Sequence, residues 1–166
     1  AVDNDPDDRP PCRLLDIIEG GDYGWKFLNG RKGTSPFTSW AGELPGTLPM
    51  ISSVGEAPSV IVAYESNGLP GEYRGQLLVT SWGDHVIQHF TLQPKGASFT
   101  SHPEILVAGG ADFRPVGIAV APDGSLFVSD WADKSYPVHG KGRVWRVRMK
   151  EPPKQADSLR REKPAE

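Results

Sequence analysis

From residue 59 onward, apolar residues come in short runs separated by turn formers. The runs cover residues 59–63, 76–81, 85–92, 104–107, 116–120, 125–129 and 142–148. None reaches the length of a helix, which needs more than about ten residues, so each predicts a strand. In 85–92 alternation is visible at Val86, Gln88 and Phe90. A further short run, 13–18, predicts a strand stopped by Gly20 and Gly21. In the turn Ala121-Pro122-Asp123-Gly124, proline presets φ and glycine accepts positive φ, so the chain reverses there. Residues 22–57 show no such pattern, and loops of that length are uncommon in compact domains. This stretch is expected either to be functional or to be ordered by Tyr23, Trp25 and Trp40.

The strand pattern repeats. Residues 76–84, QLLVTSWGD, match residues 125–133, SLFVSDWAD, at an offset of 49. Each copy leads into a second strand, so each unit reads as an antiparallel meander of about four strands. A period of about 40–50 residues is that of a β-propeller blade. The competing reading is chance similarity between two Trp-capped hairpins. The expected fold is all-β, a partial β-propeller of about two to three blades over residues 1–149. Residues 150–166 are polar and proline-containing: a linker, the first turn of a following module, or a disordered tail. A ring needs at least about four blades, so the chain is expected to be part of a larger propeller.

Composition agrees. Gly 19 and Pro 16 make about a fifth of the 166 residues, well above the usual share, which argues against a helix bundle. Hydrophobic residues at 37% exclude wholesale disorder. The net charge of −3 removes the electrostatic footprint of a general nucleic-acid binder. No apolar run is long enough to span a membrane. A lone cysteine, Cys12, excludes an internal disulfide, a four-cysteine zinc site and a c-type haem motif. Residues 1–11 form an acidic, proline-rich loop in which Asp3, Asp5, Asp7 and Asp8 suit a hard cation such as calcium, or simply a solvated turn.

The segment Gly20-Gly21-Asp22-Tyr23-Gly24-Trp25 resembles the Gly-Gly-Asn-Tyr-Gly-Trp stretch of the soluble quinoprotein glucose/sorbosone dehydrogenase family. Phe113-Arg114-Pro115 followed by residues 118–128 resembles that family's penultimate motif, in which arginines precede a strand ending in Pro-Asp-Gly. The overall wording is most similar to large dehydrogenase-like propellers of planctomycete-type bacteria. The resemblance implies a six-bladed propeller that binds pyrroloquinoline quinone and calcium. It also implies oxidation of a sugar or alcohol, a cytochrome c domain as electron acceptor, and a periplasmic or secreted location. Residue by residue, it implies Asn4 and Arg114 at the quinone, and Asp5 and Pro6 at calcium through their oxygens. A guanidinium fork suits a quinone carboxylate. Val116 stands where the family's second arginine would be, and residues 81–84 carry no cofactor-contacting lysine. The family's catalytic base, a histidine of an earlier blade, has no counterpart here, so no catalytic residue is assigned.

Other residues bear on the choice. Trp82 and Trp131 sit at equivalent repeat positions and are expected to pack at the rim, with Trp82 also a candidate to stack a quinone or sugar ring. His85 and His89 would share a strand face and converge, or be plain blade surface. Asp130 and Asp133 flank Trp131, either as an acid–base pair or as acceptors for local backbone. The rival to the oxidoreductase is a non-catalytic NHL-like propeller acting as a binding or scaffold module. A weaker third reading is a propeller lactonase or hydrolase.

Overall fold

The computed structural model describes residues 1–5, 11–25 and 39–150. Twelve strands lie among the described residues, with one turn of 3-10 helix at Gly71–Tyr73. The first sheet is β1 (Val2–Asp3), β2 (Cys12–Leu14) and β3 (Ser52–Val54), in that order. The middle sheet is β4 (Pro58–Tyr64), β5 (Gln76–Ser81), β6 (Val86–Phe90) and β9 (Glu104–Ala108). Between β6 and β9 the chain leaves the sheet in a hairpin, β7 (Gln93–Lys95) and β8 (Ser98–Thr100). The last sheet is β10 (Pro115–Val120), β11 (Leu126–Asp130) and β12 (Arg143–Val147). All the strand pairs among the described residues are antiparallel, and an isolated bridge between Asp22 and Thr47 is parallel. No helix among the described residues is long and apolar enough to cross a membrane.

The tryptophan-marked repeat is a repeat of structure. β5 and β11 are each the second strand of a meander and each sits between its chain neighbours. At the end of each, the tryptophan backbone N–H donates to the residue before the proline that opens the meander. Trp82 donates to the Ala57 carbonyl at 3.1 Å, and Trp131 to the Arg114 carbonyl at 2.9 Å. The register shifts just after both prolines, Pro58 and Pro115. The hydrogen-bond pattern excludes the chance-hairpin reading, because it copies the entry, the bulge and the exit together. β10 packs on β4 and β5, and β4 on β1, so the three sheets stack face to face as propeller blades do.

The period of two along each strand supplies the two cores. Val79 and Phe90 face the first sheet and pack with Cys12, Leu14, Ile51 and Val54. Leu78, Ile87 and Tyr64 face the last sheet and pack with Leu126 and Val128. Tyr64 is fully buried and its hydroxyl bridges two turns. It accepts from Leu69 N at 2.7 Å and donates to the Gly124 carbonyl at 2.8 Å. Gly124 has φ +78°, and a Cβ there would lie 2.3 Å from Gly68 N, so the Pro-Asp-Gly turn requires glycine at this contact. Tyr64→Phe is expected to lower stability by about 1–3 kcal/mol, because both partners stay buried and lose their bonds. Urea denaturation checks it, and an unchanged midpoint would show that water replaces the hydroxyl.

The strand expected over 13–18 is shorter than its apolar run. It ends at Leu14, where β3 and β1 give out, and Ile17 and Ile18 are 57% and 50% exposed. The long irregular stretch holds β3 and, in its described part, is ordered by aromatics gathered round Arg13. Arg13 is fully buried and donates to the carbonyls of Tyr23 and Trp40 at 2.9 and 2.8 Å. Its guanidinium lies 3.5 Å from the Trp40 ring centroid, and Trp25 meets Trp40 edge-on. Gly24 closes this knot, with φ +85° and the Ser39 carbonyl 1.6 Å from where a Cβ would be. The Gly-Gly-Asp-Tyr-Gly-Trp segment is therefore a structural buttress. Residues 151–166, most of the expected tail, lie outside the described residues.

Candidate functional site

Antiparallel pairing brings the expected site residues to one end of the stack. β4 and β6 begin there and β5 and β9 end there, as do the starts of β10 and β12 and the end of β11. The start of β2 and the end of β3 join them. The loops 55–57, 82–85, 109–114 and 131–142 form this rim.

Arg114 is its most unusual residue. It is 8% exposed, yet among the described residues it has no carboxylate partner. Its guanidinium lies 4.3 Å from the Trp82 ring centroid and donates to the Trp82 carbonyl at 3.3 Å. Its buried Nε has no hydrogen-bond partner. A buried cation without a counter-ion is costly, so it is a natural acceptor for an anion. Tyr136 lies over the same tryptophan, its ring 8° from parallel with centroids 6.2 Å apart.

Asp130 holds this arrangement from below. It is 3% exposed. One carboxylate oxygen accepts from Arg114 N and Ala132 N, both at 2.8 Å. The other accepts from Trp145 Nε1 at 2.7 Å and from Arg143 Nε and Nη2 at 3.1 and 2.8 Å. Burial pushes the carboxyl up, but these donors and the Arg143 charge outweigh it and hold it below the ordinary value. The sequence reading of Asp130 as an acceptor for backbone matches this geometry. Asp133 bonds Ser135 N and pairs with Lys141, which stiffens its own loop. The two carboxylates therefore have separate tasks and do not form an acid–base pair.

Beside Trp82, Glu56 links two candidate regions. Its carbonyl accepts from Gly83 N at 3.0 Å and its N–H donates to the Asp84 carboxylate at 2.8 Å. Its carboxylate shares a cluster with Asp5 and Cys12, whose ligand atoms all lie within 4.8 Å of one another. Burial pushes the Cys12 thiol up, so it stays protonated at neutral pH. Asp5, expected at calcium, is thus beside a second carboxylate. Asn4 is exposed just after β1. Pro6, Asp7 and Asp8 lie outside the described residues. Asp3 is committed elsewhere, accepting from Arg13 Nη2 at 2.6 Å and from Trp25 Nε1 at 2.9 Å.

The two histidines do not converge. His85 stands before β6 at φ +62°, its Nδ1 donating to the Phe113 carbonyl at 2.7 Å. His89 lies inside β6, with Nδ1 2.6 Å from Gln76 Oε1 and its ring edge-on to Tyr73. Trp131 closes its own loop, donating to the Ser135 carbonyl and meeting His139 edge-on. Sequence reasoning passed over Glu56 and Tyr136. The first has no motif around it; the second is an ordinary loop tyrosine until the fold lays it on Trp82.

Two comparisons with known proteins match. The model of a family described as Domain of unknown function (DUF7133) matches residues 49–151, which hold the middle and last sheets. A crystal structure from Thermus thermophilus, described as a candidate oxidoreductase (glucose dehydrogenase), is similar with TM-score 0.57 and 20% identity. The match covers 82% of this chain and 36% of that one, so the chain spans about a third of its length. At that identity the likeness is one of fold, and it supports the partial propeller. No curated protein matches the chain.

Proposed function

The chain belongs to the DUF7133 family, and from its buried rim arginine, which has no carboxylate partner among the described residues, we propose that it is part of a quinoprotein oxidoreductase acting on a sugar or alcohol. The observation that carries the reading is the Arg114 guanidinium, buried over Trp82 with its Nε unpartnered. That geometry fits the carboxylate of pyrroloquinoline quinone. The similar structure described as a candidate glucose dehydrogenase supports the substrate class. When bound, the quinone would supply the hydride-accepting centre and calcium a Lewis acid beside it.

This chain's residues would bind and orient. Arg114 would hold an acid group by a charge-assisted hydrogen bond, and Trp82 would offer a flat apolar face. Calcium takes about six to eight hard oxygens. Asp5 and Glu56 fit as two of them, whereas the protonated Cys12 is a poor ligand for so hard an ion. As the family resemblance implies, Pro6 would add a further oxygen to calcium and Asn4 would contact the quinone. The same reading places the protein in the periplasm or outside the cell, with a cytochrome c domain taking the electrons.

The test is titration of the full-length protein with the quinone and calcium, read by quinone absorbance and by dye reduction with a panel of sugars and alcohols. Arg114→Gln is expected to weaken quinone binding about tenfold to a hundredfold, the effect of losing one charged hydrogen bond. A second reading, a non-catalytic binding propeller, is favoured by Val116 in the place of a second arginine. No absorbance shift and no dye reduction with any substrate would leave that second reading standing.

A further inference from the structure

We infer that the free edge of β12 is completed by an acidic fourth strand, supplied by a part of the full-length protein outside residues 1–166. The inference uses the propeller fold and is independent of the quinone reading.

The two blades differ by one strand. The middle sheet runs β4-β5-β6-β9, whereas the last runs β10-β11-β12 and stops. β12 stands in the place of β6. Leu77 pairs with Phe90 in one blade, and Leu126, its counterpart in the repeat, pairs with Val147 in the other. β6 has β9 on its far side, and β12 has no strand there among the described residues. Val86, Ile87 and Phe90 of β6 are buried, while Val144 of β12 is 71% exposed and Trp145 43%.

In an antiparallel ladder, alternate residues turn their N–H and C=O away from the partner, so β12 presents a row of unused backbone groups. None of them meets another backbone group among the described residues. Lasting edges are usually blunted by proline, a bulge or an outward charge. β12 has no proline and keeps an unbroken register with β11. Its two arginines are tied to Asp130 and Asp123 on the β11 side and do not guard the edge. Valine and tryptophan favour a strand with neighbours on both sides. Beside the edge lies a cleft of about 390 Å³, lined in part by Val107, Gly109, Gly110, Phe113, Trp145 and Val147. An added strand would set alternate side chains into it.

Charge selects the occupant. Lys141, Arg143 and Arg146 pair with Asp133, Asp130 and Asp123. Arg148 and Lys150 have no carboxylate partner among the described residues, which favours an acidic strand. The middle blade does the same, setting Glu104 of its fourth strand across from His89, the counterpart of Arg146. Residues 151–166 have three prolines and no β-branched or aromatic residue, so their sequence does not suit this strand. Phe127, 43% exposed, shares with Val144 the open face of the last sheet, which in a propeller another blade covers. A strand tethered within the same polypeptide meets the edge at high effective concentration.

The experiment uses the full-length protein. Hydrogen exchange of the amides of residues 143–147 is read one by one, and Gly110→benzoylphenylalanine places a photo-cross-linker in the cleft, where a side chain has open space. The outward-facing amides are expected to exchange as slowly as the inward-facing ones, at a rate independent of protein concentration. The cross-link is expected within one molecule, to an acidic segment outside residues 1–166. Arg148→Gln with Lys150→Gln should speed exchange of the outward-facing amides about twofold to fivefold, the effect of losing exposed ion pairs. Fast exchange at every second amide would show an open edge and overturn the inference. So would a cross-link to residues 151–166 or to a second molecule. Unchanged exchange in the double variant would overturn the acidic character of the strand.

Discussion

Arg13→Ala is expected to lower the free energy of unfolding by about 3–5 kcal/mol, the range for breaking a buried charge pair by removing one partner. Arg13 is fully buried in the first sheet, and three separate attachments depend on it. Its guanidinium Nη1 ties the carbonyls of Tyr23 and Trp40, which belong to segments with no strand pairing to β2. The same group neutralises Asp3, whose side chain is 27% exposed. It also fills the face of Trp40. Alanine would remove the donor to two carbonyls, the counter-charge of Asp3, which would keep only its bond from Trp25 Nε1, and the cation on the Trp40 face at once. Lysine keeps the charge but has no second nitrogen for Asp3 while the first serves the carbonyls, and no planar group to lay on Trp40, so Arg13→Lys should recover only part of the loss. Urea denaturation of both variants, followed by tryptophan emission, tests this. Trp25 and Trp40 should become more exposed in Arg13→Ala even before the main transition. A midpoint equal to wild type would show that the aromatic cluster holds without its cation.

How far the sequence revealed this molecule depends on the range of the interactions. The bounds of 76–81 were readable because β5 is buried on both faces and its apolar run stops where the sheet stops. The tryptophan repeat was readable because two blades reuse the same entry and exit bonds. β1 and β3 were not, since they are two and three residues long and exist through pairing with β2. The hairpin β7–β8 has burial too slight to leave an apolar signature in its first strand.

The site divides in the same way. Arg114 was marked by resemblance to a motif, but its burial and its unpartnered Nε come from packing. Arg13 looks like a polar position in a strand, and nothing local says that its partners are carbonyls ten and twenty-seven residues away. The partners of Asp130 could have been inferred. β11 and β12 are antiparallel, so Asp130 faces Arg143 across the ladder, and opposite charges at facing positions are a readable pair.

Asp130→Ala is the other large effect expected, a loss of about 3–5 kcal/mol. It would strip acceptors from two backbone N–H groups, from Trp145 Nε1 and from the Arg143 guanidinium. Asp130→Asn separates the contributions. Its remaining oxygen can still serve Arg114 N and Ala132 N, but its amide nitrogen would point at the donors of two side chains, Trp145 Nε1 and Arg143 Nε and Nη2. A smaller loss of about 1–3 kcal/mol follows. The pH dependence has a definite sign. The folded carboxyl sits below its ordinary value of 3.8, so its stabilising contribution is present above that value. It is lost as the pH falls from there through the lowered folded value. Wild type should therefore lose stability on acidification in this window, and Asp130→Asn should lose less because the titrating group is gone. Urea midpoints at neutral pH and at about pH 3 give the comparison. Equal acid losses in the two proteins would mean that other carboxylates carry the acid response. Since Arg114 N is one of the bonds at stake, Asp130→Asn should also leave the Arg114 side chain over Trp82, whereas Asp130→Ala should release it. The difference would appear as weaker anion binding in Asp130→Ala alone, at a pH where both variants are folded.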